Sequence, residues 1–140
     1  MAIPNFDTYS KLVYTLQDKY PSIQHSTLVL APMGRTLSRL EGQITFEQEF
    51  VLDIWEFIDY SSDEPYIRHY SYEIYHAGEK IAWYDPFPHP HMPELASTHP
   101  HHKHVQPDIK NNRIPAPGIS FDHPNVLQLI EEIVTDLLAK

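Results

Sequence analysis

Cysteine is absent from the 140-residue chain, so disulfides, thiolate metal sites and Cys nucleophiles are excluded together. Positive charge is scarce: Lys and Arg total 10 against 19 Asp and Glu, a formal net charge of -9. That is the wrong sign for holding nucleic acid over the whole surface, so any such site must be local. No apolar run approaches the roughly 18 residues a membrane span needs, and the N-terminal MAIPNFDTYS lacks the basic and apolar regions of a signal peptide. A cytoplasmic protein is expected. The length leaves room for one core, so residues 1–140 are expected to form a single domain and a two-domain enzyme is excluded. Hydrophobic residues at 41% and charged residues at 21% are ordinary for a globular chain and exclude wholesale disorder.

Proline and histidine run the other way, at 13 and 10, and they fall together. Eight of the prolines and six of the histidines (His89, His91, His99, His101, His102 and His104) lie between Asp85 and Pro117. Pro86, Pro88, Pro90 and Pro93 forbid helix and remove ladder donors, which predicts an extended His/Pro-rich loop over about 85–120. A loop of that length inside a compact domain is more often functional or disordered than merely connective.

Around that loop the pattern is regular. Asp7 is a candidate N-cap, and Tyr9, Leu12, Val13, Leu16 and Tyr20 recur at helical spacing until Pro21, predicting a helix over about 8–19. Ser26 to Pro32 reads as one short strand. From Gln43 to Asp59, Ile44, Phe46, Phe50, Leu52, Ile54 and Ile58 hold even positions while Glu47, Glu49, Asp53 and Asp59 hold odd ones, the period of strands with one buried face. Strands are predicted near 38–46 and 49–59, with a turn at Glu47-Gln48. Ala77-Gly78 then closes a hairpin between Tyr66–Tyr75 and Lys80–Asp85. With that two-residue loop, paired positions sum to 155, so Ile74 faces Ile81, Tyr72 faces Trp83 and Tyr70 faces Asp85. Arg68 is expected to meet Asp85 at the end of this hairpin, with Glu56 as its second partner. Asp122 caps a last helix with Pro124 in its first turn, and Val126, Leu127, Ile130, Ile133, Val134, Leu137 and Leu138 form one stripe to the C-terminus. The expected fold is α+β: an antiparallel meander of four to five strands, with N- and C-terminal helices packed on one face.

Histidine both takes and gives a proton near neutral pH, and two imidazoles can divide those roles in cutting RNA. One removes the 2′-hydroxyl proton, a second protonates the departing 5′-oxygen, and a cation, Arg68 or Lys103, steadies the charge growing on phosphorus. That chemistry needs no cofactor. The same residues allow a divalent metal, since imidazole is the commonest zinc ligand and Asp85 or Glu94 would add oxygen, with His91 and His99 as further ligands. Spacing does not decide between these readings, because His99, His101, His102 and His104 are too close to match a standard zinc pattern. Between Glu41 and Glu64 lie eight carboxylates and no base, so a carboxylate metal cluster stays open as well. A third reading makes the loop a solvated segment that docks a partner. Tyr70, Tyr72 and Trp83 fit a core better than a base-stacking platform.

The order Glu56-Phe-Ile-Asp59, Arg68-His-Tyr-Ser-Tyr72, Trp83-Tyr-Asp85, Pro88-His89, Pro93-Glu94 and Pro100-His-His-Lys-His104 resembles the TumE-like toxins of prokaryotic toxin–antitoxin systems. The likeness runs from about Gly42 to His104 and continues weakly into the C-terminal helix. Its most specific part pairs Tyr-Asp-x-x-Pro-His with the downstream Pro-His-His-x-His. The resemblance implies a cytoplasmic toxin acting on RNA, encoded beside an antitoxin protein that neutralises it by direct binding, and leaves a homo-oligomer open. Carried onto this sequence, the motif positions are Glu56, Arg68, Tyr70, Tyr72, Asp85, His89, His101, His102 and His104. His89, His101, His102, His104, Arg68 and Asp85 are then the catalytic candidates, Lys103, Tyr70 and Tyr72 the substrate contacts, and Glu56 a structural support. Where Trp83 stands, the family pattern more often has a basic residue.

Overall fold

The alternating stretch becomes the middle of one antiparallel sheet in the computed structural model, which describes residues 1–138. The strands are β1 (Ile23–Ser26), β2 (Val29–Met33), β3 (Leu37–Phe46), β4 (Phe50–Asp59), β5 (Tyr66–His76), β6 (Glu79–Asp85), β7 (His102–Val105) and β8 (Arg113–Pro115). They run in the order β1-β3-β4-β5-β6-β7-β8, with β2 also paired to β3. The sheet therefore has eight strands, more than the four to five expected, for two reasons. The single strand predicted over Ser26 to Pro32 is two strands, which share β3 as partner. They separate at Thr27 and Leu28 beside Gly42, where an added Cβ would lie 2.6 Å from the Thr27 carbonyl oxygen. The other two strands lie inside the stretch predicted as a loop. Pro100 and Pro107 bracket a proline-free piece that pairs with β6, and the chain turns back to add β8 at the sheet edge.

Even-numbered side chains of the central strands make the core, as their spacing predicted. Ile44, Phe46, Leu52, Ile54, Tyr72 and Ile74 are all buried, and they share one cluster with Tyr9, Val13, Val126, Leu129, Ile130 and Ile133 from the helices. Both helical ends thus cover the same sheet face. The first helix is α1 (Phe6–Tyr14), followed after a break at Thr15 by the single turn α2 (Leu16–Lys19). Its cap is Asn5, whose side chain accepts from the Thr8 amide at 2.9 Å, and not the expected Asp7. The last helix, α3 (Asn125–Glu132), begins later than Asp122 would start it, with Pro124 in the cap position, and continues as a π-turn over Ile133–Leu137. The remainder of the predicted C-terminal stripe beyond 138 lies outside the described residues.

The hairpin turn is the expected one: His76 pairs with Glu79 across Ala77 and Gly78, both at positive φ (50° and 83°). The register beyond it is not. A β-bulge at Ile81 shifts the ladder by one, so Ile74 pairs with Ala82, Glu73 with Trp83 and Tyr72 with Tyr84. A bulge puts two residues of one strand opposite one of the other, and every later side chain changes face. Trp83 and Asp85, expected beneath the helices, emerge on the opposite, open face.

Candidate active site

The site is built where the bulged strand meets β7. Asp85 pairs with His102 and Trp83 with His104 across that ladder, and side chains alternate faces along a strand, so all four project to the open side. His102 Nε2 lies 3.2 Å from Asp85 Oδ1, His104 Nε2 lies 3.2 Å from Asp85 Oδ2, and the two Nε2 atoms are 3.1 Å apart. The Nδ1 of His102 faces the Pro100 carbonyl at 3.1 Å and that of His104 the Ile109 carbonyl at 2.8 Å. A carbonyl only accepts, so each ring carries its proton on Nδ1 and turns the Nε2 lone pair inward when neutral. The result is two nitrogen lone pairs and a carboxylate, one oxygen opposite each ring, facing one point. All three residues are buried, His102 and His104 at 1% and 3% exposure. Burial holds His104 below the ordinary imidazole range, against the upward pull of Asp85.

Asp85 and His104 line a cleft of about 600 Å³ on the open face, with His102 behind them. Trp83 stacks on His104 at 4.2 Å between ring centres and 16° between planes. His89 comes back from the other arm of the His/Pro segment, with its ring centre 4.9 Å from that of His102. Burial lowers the His89 pKa, and nearby Arg113 and His102 lower it further. Three cations line the cleft: Lys80, Lys110 and Arg113. Lys80 is paired with Glu73 and lies 5.1 Å above the Trp83 ring, while Lys110 and Arg113 form no ion pair among the described residues. Two buried donors, Trp83 Nε1 and Arg113 Nε, have no hydrogen-bond partner among the described residues.

The other sequence candidates lie elsewhere. His101 and Lys103 alternate with His102 and His104 and therefore point to the helix side. There His101 Nδ1 meets the Tyr70 hydroxyl at 2.6 Å, and the Lys103 ammonium is 2.9 Å from Glu132 of α3. Tyr70 and Tyr72 are fully buried and stacked on each other at 4.8 Å, with no face open to a base. The expected joining of Arg68 to Asp85 and Glu56 does not occur. Arg68 is exposed at a bulge between Phe57 and Ile58 of the neighbouring ladder, and its guanidinium lies 5.5 Å over the Phe57 ring. Each acid has partners of its own, and those of Glu56 are the hydroxyls of Tyr9 and Tyr72, each at 2.5 Å. His91, Glu94 and His99 are exposed, and the one converging ligand set among the described residues is Asp85, His102 and His104.

Lys80, Lys110 and Arg113 escaped the sequence reading, as did Trp83 as a cleft residue. Lys110 and Arg113 had a signal: with Lys103 they are the only cations between Asp85 and the C-terminal helix. Among known proteins, the family model described as Toxin TumE matches residues 13–139. No curated protein and no solved structure matches the chain.

Proposed function

The chain belongs to the toxin TumE family, and from that premise we propose that it is the toxin of a toxin–antitoxin pair and a ribonuclease that cuts RNA in the cleft over Asp85, His102 and His104. The observation that carries this reading is local charge. In a chain of net charge -9, the unpaired Lys110 and Arg113 and the Trp83 ring gather around the buried His/Asp cluster. Cations receive phosphate, and an indole offers a stacking surface for any base. The two orphaned donors fit a polar ligand in the same space.

In the reaction we assign, the RNA 2′-oxygen bonds to phosphorus as the bond from phosphorus to the 5′-oxygen breaks. The 2′-hydroxyl proton leaves to a base, a second proton reaches the 5′-oxygen, and the products are a 2′,3′-cyclic phosphate and a 5′-hydroxyl. Attacking and leaving oxygens stand on opposite sides of phosphorus, and each proton-transfer partner needs about 3 Å to its own oxygen. His102 and His104, with nitrogens 3.1 Å apart, are too close to flank a phosphate and act from one side as a unit. His89, which lines the cleft from the other arm of the His/Pro segment and meets His102 edge-on, is assigned the second proton. The cognate antitoxin is expected to bind the toxin directly.

Cleavage of single-stranded RNA by the purified chain tests this. His89→Ala and Asp85→Asn should each lower the rate by about two to four powers of ten, with unchanged circular dichroism and with loss of growth arrest. His25→Ala, on exposed β1, should cleave like the parent. If folded His89→Ala and Asp85→Asn both cleave RNA and arrest growth as the parent does, the cleft is not the reaction site, and the His/Pro segment is a docking element instead.

A further inference from the structure

The Asp85, His102 and His104 cluster has the wrong polarity to hold itself together. With both Nδ1 protons turned to backbone carbonyls, the two Nε2 lone pairs and the carboxylate all present negative potential to the same point. Without a further species, one imidazole must take a second proton and pair with the Asp85 carboxylate, whose Oδ1 already accepts from the Phe87 amide. Their spacing matches something else. Ligand atoms about 2.1 Å from one ion are about 3.0 Å apart at right angles and about 3.4 Å apart at the tetrahedral angle. The Nε2–Nε2 separation of 3.1 Å and the two Nε2–carboxylate separations of 3.2 Å, each to its own oxygen of Asp85, fall between those limits. Imidazoles that bind metal through one nitrogen almost always donate the other N–H to a carbonyl or carboxylate, which fixes ring orientation. Both rings here have that support, from carbonyls on the two sides of β7. Three ligands on one face would leave the remaining positions open to the cleft.

We propose that Asp85, His102 and His104 bind one divalent first-row transition-metal ion. Two imidazoles and a carboxylate suit zinc, cobalt, nickel or iron, whereas magnesium and calcium prefer all-oxygen sites. The proposal deepens the ribonuclease reading, on which it rests for the identity of the ligand reaching the ion, an RNA phosphate oxygen. It does not rest on that reading for the binding itself. An ion at this point would occupy the Nε2 lone pairs, so His102 and His104 would hold it and leave proton transfer to His89; it would supply a Lewis-acid contact to that oxygen, with Lys110 and Arg113 holding the rest of the phosphate.

Cobalt(II) is the probe, since its visible absorption reports nitrogen coordination and geometry. Titration of the full chain should saturate at one equivalent, and zinc should displace the cobalt while excess magnesium should not. Loss of a carbonyl support alone typically weakens a metal site ten- to a hundredfold, so His104→Ala and Asp85→Asn should weaken cobalt by about a hundredfold or more. In the unsubstituted chain, zinc should shift the Nε2 resonances of His102 and His104, a readout that needs no variant to fold. Absence of saturable binding overturns the proposal, and so does an ion that is lost in His91→Ala or His99→Ala but kept in His104→Ala. RNA cleavage by chain shown to be free of bound ion overturns the ion's contact with the RNA phosphate and leaves the ribonuclease standing. Cobalt bound at the cluster with no cleavage of any RNA overturns the ribonuclease and leaves the metal site standing.

Discussion

Glu56 and Asp85 are both buried carboxylates, on opposite faces of one sheet, and their neighbours differ in kind. Glu56 lies beneath the helices and receives two tyrosine hydroxyls, from Tyr9 and Tyr72, while Asn125 of α3 donates in turn to Tyr72 at 3.1 Å. Every group in that network has a donor meeting an acceptor, so it closes the core and ties α1, β4, β5 and α3 together. Asp85 on the open face accepts from the Phe87 amide at 2.8 Å and otherwise faces two imidazole nitrogens, each ring oriented by a carbonyl behind. That arrangement is complete only when a further species enters. A buried acid whose neighbours are all donors belongs to the framework, and one turned toward two acceptor nitrogens belongs to a site.

Substitutions on the two faces should therefore fail differently. The largest stability effect is expected on the covered face: Leu52 is fully buried, and Leu52→Ala should cost roughly 2–5 kcal/mol in denaturant melts. A loss below about 1 kcal/mol would mean that the helices do not seal this face. Trp83→Ala should move the other observable. The indole lines the cleft on the open side, and stacking on one base contributes about 1–3 kcal/mol. RNA binding should weaken about tenfold to a hundredfold, with a smaller stability loss than Leu52→Ala. Were the stability loss the greater of the two and RNA binding untouched, Trp83 would be a core residue after all.

Glu56→Gln should show the smallest effect and the clearest pH signature. Burial raises the Glu56 carboxyl above its usual range, although both tyrosine hydroxyls pull it down. A carboxyl raised in the folded state holds its proton more tightly there than in the unfolded chain. Its contribution is full below the unfolded value, about 4.3, and is lost as pH rises through the folded value. Glutamine cannot titrate and satisfies the two hydroxyls less well, so near pH 5 the variant should be less stable by about 1 kcal/mol. The gap should narrow toward pH 8. Parallel pH profiles for parent and variant would show that Glu56 is not raised.

Much of the covered face was legible because it depends on neighbours two, three or four residues away. Alternation at 43–59 predicted β3, β4 and the buried set Phe46, Leu52 and Ile54, and Ala77-Gly78 marked the hairpin. The His/Pro content of 85–117 singled out the segment that carries His102 and His104, and His89 does return toward His102. The pairing of Arg68 with Asp85 was misjudged because it assumed an unbroken ladder. One bulge at Ile81 and another beside Arg68 moved both residues. Lys103 and His101 looked equivalent to His102 and His104 until β7 formed, since four adjacent residues in a loop have no sides.

The sequence by itself determined the period of each strand, the place of the turns, the helix-covered core, and the concentration of histidine in one segment, all consequences of local sterics and hydrophobic burial. Tertiary structure decided which face each histidine shows. Pairing of β7 with β6 splits His101, Lys103 from His102, His104 by strand alternation, and the bulge sends Asp85 to the same side as the latter pair. A single-residue slip reverses that outcome at no local cost in composition. Burial of Ala82 and Tyr84 beneath the helices, with the Tyr84 hydroxyl donating at 2.6 Å to Glu132, 48 positions away in the chain, selects between the two registers.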